Sequence, residues 1–377
     1  MQSILTKEEL TRYSRHITLP EMGVSGQQKL KEGKVLVVGA GGLGAPLLLY
    51  LSAAGIGEIG IIDDDIVEDS NLQRQVLFTT DDIGKPKAIT AKKRIELLNP
   101  YIKVTSFNER LTTSNALEII KKYDVVADGT DNFATRYLVN DACVLLNKIN
   151  VYASIFRFEG QVSVFNYPQE DSPNYRDLFP APPPPGLVPN CAEGGVLGVL
   201  PGIIGSIQAN EVIKLIAQIG KPLVGRMFIF DTLLFESRII KFSIPKNRTL
   251  INGLIDYEEF CNIGNSENST TKMKEVTVHE LKSMFDNNQD FQLIDVRKEH
   301  EYQIANINGE LIPMEEIFSQ VEKIKTNKKV VVHCLSGVRS ANVILKLEEE
   351  FGFDNLYNLK GGILAWSDEI DASIPKY

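Results

Sequence analysis

The sequence predicts an α/β protein with two separate domains, a doubly wound parallel sheet followed by a smaller α/β domain. Its 377 residues suffice for two or three domains at about 150 residues each. Short apolar runs that are typical of buried strands alternate with helical patterns in both halves of the chain. Residues 264–275 are poor in apolar residues and rich in turn formers, as in a linker. We therefore predict domains at residues 1–263 and 276–377, joined by a flexible linker at residues 264–275.

Composition and charge exclude several classes of protein. Hydrophobic residues make up 43% and charged residues 24%, as in an ordinary globular protein. The net charge of −9 disfavours nucleic acid as a partner. The longest apolar stretch, residues 194–207, is shorter than the ~20 residues that span a bilayer, and the charged N-terminus does not resemble a signal peptide. We expect a cytoplasmic protein that contacts no membrane and has free thiols, because its four cysteines form no CxxC pair: Cys143, Cys191, Cys261 and Cys334.

The first domain has the pattern of strands and crossover helices that builds a parallel sheet. Strands are predicted at residues 34–39, 58–63, 102–107 and 123–128, and helices at 42–54 and 88–98. A proline-rich loop at residues 180–189 precedes a further predicted helix at 205–219. The carboxyl ends of parallel strands meet at one edge of the sheet, where such folds bind ligands.

A glycine-rich motif lies between the first predicted strand and helix. Its glycines are Gly39, Gly41, Gly42 and Gly44. Such a loop lets the backbone approach a phosphate group, and the helix N-terminus supplies N–H donors. Asp63 is the last residue of the next predicted strand, at the position expected to bind ribose hydroxyls. The motif alone predicts an adenosine nucleotide, and a nicotinamide dehydrogenase remains an alternative at this point.

Charged residues near the next strand ends favour ATP over a nicotinamide. Asn71, Arg74 and Lys87 follow the second strand, and Asp131 follows the strand at 123–128. A triphosphate requires cations near its phosphates and a carboxylate that holds Mg²⁺. Each charge has a plain structural explanation by itself, since exposed lysines are usually solvated and Asp131 could cap a helix. Their placement at consecutive strand ends supports the ATP interpretation.

Five ordered motifs resemble those of the MoeB/ThiF-type adenylyltransferases, which are relatives of ubiquitin-activating enzymes. The motifs lie at residues 12–15, 39–44, 71–75, 84–87 and 128–132. The resemblance implies a Rossmann-like ATP-binding domain that adenylates the C-terminal Gly-Gly carboxylate of a small ubiquitin-like sulfur carrier. It also implies a homodimer.

This resemblance assigns roles to individual residues. It implies that Asp63 holds ribose, that Asn71, Arg74 and Lys87 bind phosphates, and that Asp131 holds Mg²⁺. It also implies that Arg15 reaches the ATP of the partner subunit.

Two features of the region after the proline-rich loop qualify the resemblance. Cys191 lies where related enzymes carry a cysteine that takes part in acyl or disulfide transfer, although a free cysteine is often simply a small buried hydrophobe. Many members of the family also hold a structural zinc with two CxxC pairs. The corresponding stretches here, residues 173–177 and 245–250, contain no cysteine, so we expect no structural zinc.

The second domain carries a cysteine between a predicted strand and a helix. Cys334 begins a six-residue loop that ends at Arg339. Backbone N–H groups at a helix N-terminus stabilise a thiolate or persulfide anion, and Arg339 adds positive charge. A cysteine phosphatase would use a similar loop. The loop length and the motifs at residues 295–301, 309–313 and 361–366 resemble a rhodanese domain, which implies sulfur transfer through a Cys334 persulfide.

Adenylation and persulfide chemistry in one chain resemble the fused MoeB-type/rhodanese sulfurtransferases, including molybdopterin-synthase adenylyltransferase/sulfurtransferases. The resemblance implies that a carrier carboxylate is activated with ATP and Mg²⁺ and converted to a thiocarboxylate. The sulfur would come from an upstream donor such as a cysteine desulfurase. Two further alternatives remain at this stage, a rhodanese with a non-catalytic nucleotide-binding scaffold and a conjugating enzyme that forms a Cys191 thioester. Molybdopterin, thiamine, cysteine and tRNA thiolation all remain open as pathways.

Overall fold

The computed structural model describes residues 5–168, 172–183, 194–262 and 273–376. These residues form two compact units, one containing the described residues up to 262 and the other those from 273 onwards. Within these ranges, no helix is long and apolar enough to cross a membrane.

The first unit is built on an eight-stranded sheet. Its strands are β1 (Lys34–Val38), β2 (Glu58–Ile62), β3 (Lys103–Phe107), β4 (Val125–Asp128), β5 (Ile149–Phe156), β6 (Glu159–Phe165), β7 (Arg226–Asp231) and β8 (Glu236–Lys241). Their order is β3-β2-β1-β4-β5-β6-β7-β8, with β1 to β5 parallel and β6 to β8 added in antiparallel fashion. The strand order reverses beside β1, so the ends of β1 and β4 form the switch point at which doubly wound sheets bind ligands. The predicted fold class is confirmed.

Helices cover both faces of this sheet. They are α1 (Lys7–Arg12), α2 (Ser14–Ile17), α3 (Gly23–Glu32), α4 (Gly44–Ala54), α5 (Lys87–Leu98), α6 (Ala116–Ile120), α7 (Phe133–Leu145), α8 (Tyr175–Leu178), α9 (Leu200–Ala217) and α10 (Tyr257–Asn262). Helix α9 begins five residues before the predicted start at residue 205. Pro201 lies in its first turn, where the missing N–H of proline has no helical partner to lose.

Strand β1 divides the core of the first unit into two layers. Val35 and Val37 pack on one face of the sheet with Leu47 of α4. Leu36 packs on the other face with Tyr137 of α7. Successive side chains of a strand point to opposite faces, so a strand buried on both faces reads as a continuous apolar run.

The second unit is a five-stranded parallel sheet with its own helices. Its strands are β9 (Glu275–Val276), β10 (Phe291–Asp295), β11 (Glu310–Leu311), β12 (Lys329–His333) and β13 (Leu356–Leu359), in the order β11-β10-β12-β13-β9. Its helices are α11 (Val278–Asp286), α12 (Glu299–Ile304), α13 (Val338–Phe351) and α14 (Gly362–Glu369). Glu275, the last residue of the predicted linker, already pairs with Asn358 in this sheet.

Asp82 fastens the segment before α5 through an ion pair. Its carboxylate accepts hydrogen bonds from Arg94 Nη2 at 2.6 Å and from the backbone N–H of Thr79 at 3.0 Å. Burial alone would raise the pKa of Asp82, but the bonds from Arg94 and Thr79 outweigh it and lower the pKa to about 2.

We expect Asp82→Asn to destabilise the protein at neutral pH by an amount that shrinks in acid. The folded pKa lies below the ordinary value of 3.8, so the contribution of Asp82 is present above that pH and is lost as the pH falls toward the folded pKa. Urea unfolding of both proteins across this range measures the difference in the free energy of unfolding. A difference that stays constant with pH would contradict the prediction.

Candidate functional site

The loop after β1 contains glycines at positions where a side chain would collide with the backbone. Gly39 has a φ of 89°, in the left-handed region that side chains rarely adopt. A methyl group on Gly44 would lie 2.0 Å from the carbonyl oxygen of Gly39, so the first turn of α4 packs directly on the loop. A helix N-terminus held against a glycine loop has free backbone N–H groups and a positive dipole end, the arrangement that binds phosphate.

Asp63 joins the end of β2 to this glycine loop. Its Oδ2 atom accepts a hydrogen bond from the N–H of Ala40 at 2.7 Å, and its Oδ1 atom accepts one from the N–H of Asp65 at 2.9 Å. Burial raises the pKa of Asp63, although these hydrogen bonds and the nearby Lys87 oppose the shift. Each carboxylate oxygen keeps a second lone pair, which is what a ribose hydroxyl would require.

Lys87 is held near the glycine loop by an ion pair that the sequence did not predict. Its side chain is 7% exposed, and its Nζ atom lies 2.8 Å from the Oδ2 atom of Asp65. The backbone N–H of Lys87 also donates to the carbonyl of Asp65 at 2.9 Å. The segments before α5 and after β2 therefore fix Lys87 beside Asp63.

Residues of the motif at 71–75 also lie against the glycine loop. The Cδ atom of Arg74 would lie 3.7 Å from a methyl group on Gly42, and Nε2 of Gln75 would lie 3.5 Å from one on Gly41. Asn71 is buried, as is Gln75, whose Oε1 atom has no hydrogen-bond partner among the described residues. Gln75 belongs to the motif at residues 71–75, but only its burial against the loop marks it as a site residue.

Asp131 lies in the turn after β4, next to the glycine loop. A methyl group on Gly39 would lie 3.1 Å from the carbonyl oxygen of Gly129 in this turn. The side chain of Asp131 is exposed. The structure therefore brings the turn that carries Asp131 and the phosphate-type loop to the same edge of the sheet.

Nothing in the described structure places two further predicted site residues in this cluster. Arg15 is exposed on the short helix α2, and within the described part of the chain its side chain makes no hydrogen bond or ion pair. Cys191 lies outside the described residues.

Three consecutive carboxylates follow β2. Asp63, Asp64 and Asp65 each place an oxygen within 4.8 Å of the others. Asp65 is already paired with Lys87, and Asp63 accepts two backbone N–H groups. These contacts explain the arrangement without a metal ion.

Cys334 of the second unit directly follows β12 and begins the short loop that leads into α13. The N–H of Gly337 donates to its Sγ atom at 3.2 Å, and the hydroxyl of Ser340 lies 3.5 Å from the same sulfur. Cys334 itself is 1% exposed. Donors that converge on a sulfur at a helix N-terminus stabilise negative charge on it.

The motif at residues 361–366 packs against the Cys334 loop. The N–H of Ile363 donates to the carbonyl of Cys334 at 3.0 Å. Gly362 has a φ of 58°, and a methyl group there would lie 2.6 Å from that same carbonyl oxygen. The start of α14 therefore determines where the Cys334 loop lies.

The sequence predicts that Arg339 adds positive charge at this loop, but the structure pairs its guanidinium with a carboxylate. Its Nη1 and Nη2 atoms donate to the two carboxylate oxygens of Glu301 at 2.8 and 2.7 Å. Burial would raise the pKa of Glu301, but Arg339 and the N–H of Lys298 outweigh it and lower the pKa. The carboxylate of Glu301 therefore opposes the positive charge that Arg339 adds.

An ion pair joins the two stretches, residues 173–177 and 245–250, at which the family resemblance would place zinc cysteines. Arg248 Nη2 lies 3.0 Å from Oδ2 of Asp177, and the Asp177 side chain is 1% exposed. Arg248 Nη2 also lies 3.5 Å from the carbonyl oxygen of Ser172. The residues present at this position are therefore suited to each other rather than to zinc, which prefers thiolate and imidazole ligands in structural sites.

The fold and the two sites define the class of protein. The first unit has the loop and charged groups of a nucleotide-binding enzyme, and the second presents a cysteine to converging donors. Residues 13–250 match the model of the ThiF family, and residues 277–369 match that of the Rhodanese-like domain. The chain therefore belongs to the ThiF family and carries a C-terminal rhodanese-like domain.

Curated relatives match along the whole chain. The protein named "Probable adenylyltransferase/sulfurtransferase MoeZ" of Mycobacterium tuberculosis is 46% identical over 384 residues, which cover 100% of this chain and 97% of that protein. Adenylyltransferase and sulfurtransferase MOCS3 of Xenopus laevis is 39% identical, with 100% and 90% covered. The sulfur carrier protein adenylyltransferase of Thermus thermophilus is 52% identical over 269 residues, which cover 68% of this chain and 98% of that protein. This protein is an adenylyltransferase and sulfurtransferase, and the resemblance found in the sequence is confirmed.

Solved structures support the fold of the first unit. A crystal structure of PaaA is 26% identical with a TM-score of 0.55, covering 65% of this chain and 77% of that chain. Escherichia coli MccB, solved with ATP, is 23% identical with a TM-score of 0.56, covering 67% and 76%. The likeness to MccB shows the fold alone.

We expect Gly362→Ala to reduce thiosulfate sulfurtransfer at least tenfold (~1.4 kcal/mol in the barrier), since its methyl group would displace the Cys334 carbonyl. Gly352→Ala is the matched control. Gly352 also has positive φ, but a methyl group there meets nothing within 4 Å. The control should therefore lose about 1 kcal/mol of stability and keep its activity. Equal losses of activity in both variants would contradict the positioning role of α14.

Proposed function

We propose that this enzyme adenylates the C-terminal Gly-Gly carboxylate of a small ubiquitin-like sulfur carrier and then converts it to a thiocarboxylate with sulfur carried by Cys334. The observation that carries the proposal is the presence of both sites in one chain. The glycine loop lies beside Lys87, Arg74 and Asp131, and the second unit presents Cys334 to converging donors. Relatives whose names include both adenylyltransferase and sulfurtransferase match the chain along its whole length.

The residues around the glycine loop suit ATP. The close packing of Gly39 and Gly44 leaves backbone N–H groups for phosphates, and Asp63 has lone pairs for the ribose hydroxyls. When the carrier carboxylate attacks the α-phosphorus, negative charge grows on the departing pyrophosphate. Lys87 and Arg74 lower the barrier by neutralising that charge more strongly in the transition state than before it.

Asp131 is the residue that would hold Mg²⁺. It is an exposed carboxylate at the edge of the sheet that bears the glycine loop, and Mg²⁺ prefers oxygen ligands from one or two carboxylates together with phosphates. The ion would supply further neutralisation of phosphate charge.

Sulfur transfer requires the acyl adenylate and a persulfide on Cys334. The terminal persulfide sulfur attacks the carbonyl carbon of the acyl adenylate. The bond between this carbon and the phosphate oxygen of AMP then breaks, and AMP leaves. A thiol then attacks Sγ of Cys334, which releases the thiocarboxylate and leaves a disulfide that an external thiol reduces. We assign that attacking thiol to Cys191. The donors on Cys334, from Gly337 and Ser340, stabilise the anionic persulfide.

Several partners follow from the same proposal. We propose a homodimer in which Arg15 reaches the ATP of the partner subunit, since it is exposed and unpaired within the described chain. A cysteine desulfurase would load Cys334, and the enzyme would work in the cytoplasm. The relatives named MOCS3 favour a carrier for molybdenum cofactor biosynthesis over one for thiamine.

We expect wild-type enzyme to catalyse ATP–pyrophosphate exchange only when a Gly-Gly-tailed carrier is present. Asp131→Ala should reduce the exchange rate by about 10²-fold or more, because Mg²⁺ would lose its carboxylate ligand and no longer neutralise the phosphate charge. Cys334→Ala should exchange at the wild-type rate, since adenylation precedes sulfur transfer. A panel of carriers identifies the substrate.

Two results would contradict this proposal. Thiosulfate sulfurtransfer without carrier-dependent exchange would favour a rhodanese with a nucleotide-binding scaffold. A stable carrier thioester that requires Cys191 and is indifferent to Cys334→Ala would favour conjugation.

We expect a metal chelator to leave the melting temperature unchanged, because the residues at the relatives' zinc position form an ion pair instead. Asp177→Asn should lower the free energy of unfolding by about 1–3 kcal/mol, since it leaves Arg248 without its buried partner. The control is Asp286→Asn, which breaks an exposed pair with Lys282 and should cost at most about 0.5 kcal/mol. Bound zinc together with a lower melting temperature after chelation would contradict the prediction.

A further inference from the structure

The turn between β4 and α7 is held by a buried carboxylate to which the sequence analysis gave no role. Oδ1 of Asp128 accepts hydrogen bonds from the N–H of Thr130 at 3.0 Å and from its hydroxyl at 2.6 Å. The carbonyl of Asp128 accepts a further bond from Nε2 of Gln208 at 2.8 Å. Asp128 and Thr130 are both buried, so these bonds are shielded from competing water.

Arg136 fixes the other side of the same turn. Its Nη2 atom donates to the carbonyl of Thr130 at 3.0 Å. Its guanidinium lies 5.4 Å from the centre of the Tyr152 ring and 5.8 Å from that of Phe133, and the residue is buried. Because aromatic rings and helix α7 restrict the guanidinium, Thr130 is held through its N–H, hydroxyl and carbonyl together.

Asp131 follows Thr130 directly and is fixed on its other side as well. Asn132 is the N-cap of α7, and its Oδ1 atom accepts a hydrogen bond from the N–H of Thr135 at 2.9 Å. The side chain of Asp131 remains exposed and is free of hydrogen bonds within the described residues. An exposed carboxylate on a backbone fixed from both sides is preorganised to bind a cation without an ordering cost.

Asp128 cannot take the place of Asp131 as a ligand in this arrangement. It is 1% exposed, and one of its oxygens is committed to Thr130. Its charge also lies beside Arg136, whose guanidinium opposes the rise that burial causes in the pKa of Asp128. The role open to Asp128 is therefore to hold the turn.

We propose that Asp128 and Arg136 are positioning residues that clamp Thr130 and thereby place the carboxylate of Asp131 for the Mg²⁺ that accompanies ATP. This inference rests on the proposed function, in which Asp131 holds that ion. Asp128 and Arg136 would support the metal ligand without touching the metal. Their loss would weaken metal-dependent nucleotide binding and leave the remaining nucleotide contacts in place.

The test is a double-mutant cycle on the affinity for ATP, measured by calorimetry with Mg²⁺ and again with EDTA. Thr130→Val removes the hydroxyl donor at nearly constant volume and should weaken Mg·ATP binding about tenfold. The same change in an Asp131→Asn background should have no further effect, because the clamp acts through Asp131. Affinity for ATP in EDTA should be equal in wild type and Thr130→Val.

Two control variants separate positioning from general destabilisation. Thr130→Ser keeps both donors and should restore Mg·ATP affinity. Ser163→Ala removes a buried hydroxyl that donates to the carbonyl of Arg226 at 2.9 Å, on β7 and away from the glycine loop. This variant should lower the melting temperature without changing Mg·ATP affinity.

The proposal would be contradicted if Thr130→Val bound Mg·ATP as tightly as the wild type does. It would also be overturned by a loss that is equally large in the Asp131→Asn background or in EDTA. Carrier-dependent exchange is measured separately on the wild type. If exchange is absent while the cycle behaves as expected, the clamp is supported and the proposed function fails.

Discussion

The first unit depends on the close approach of two strand-end loops, which only glycine permits. A methyl group on Gly44 would lie 2.0 Å from the carbonyl of Gly39, and one on Gly39 would lie 3.1 Å from the carbonyl of Gly129. These contacts place the start of α4 and the turn after β4 side by side. The N–H groups of one and the carboxylate of the other therefore share one edge of the sheet, and Asp63 and Lys87 reach the same edge from β2 and α5.

The second unit has a similar arrangement of strand end and helix N-terminus, but here it surrounds a cysteine sulfur. A strand again ends at a helix N-terminus, and Gly362 lets a second helix approach the loop closely enough to bond the carbonyl of Cys334. The pairing of Arg339 with Glu301 indicates that much of the stabilisation of a sulfur anion comes from the nearby N–H and hydroxyl donors of Gly337 and Ser340. Each unit therefore presents the end of a parallel strand and the start of a helix to an anion.

The sequence predicted strands β1 to β4 and the glycine loop, because buried parallel strands read as apolar runs and tight loops require glycine. Strands β5 to β8 were not predicted. The sequence also did not predict which charges pair with each other. Nothing local indicates that Glu301 binds Arg339 or that Asp65 binds Lys87, since tertiary folding brings them together. The predicted start of α9 at residue 205 is five residues late, and Pro201 lies in the first turn, where a helix tolerates proline. The placement of Cys191 lies beyond the described residues.

The most direct measurement is the intact mass of a Gly-Gly-tailed carrier after reaction with ATP and enzyme preloaded with persulfide. We predict that wild-type enzyme replaces one carboxylate oxygen of the carrier with sulfur, and that Cys334→Ser releases the carrier unchanged after forming its adenylate. The same thiocarboxylate formed by Cys334→Ser, with no added sulfide, would contradict the assignment of sulfur transfer to this cysteine. An unmodified carrier with wild-type enzyme, despite active exchange, would contradict the coupling of the two chemistries in one chain.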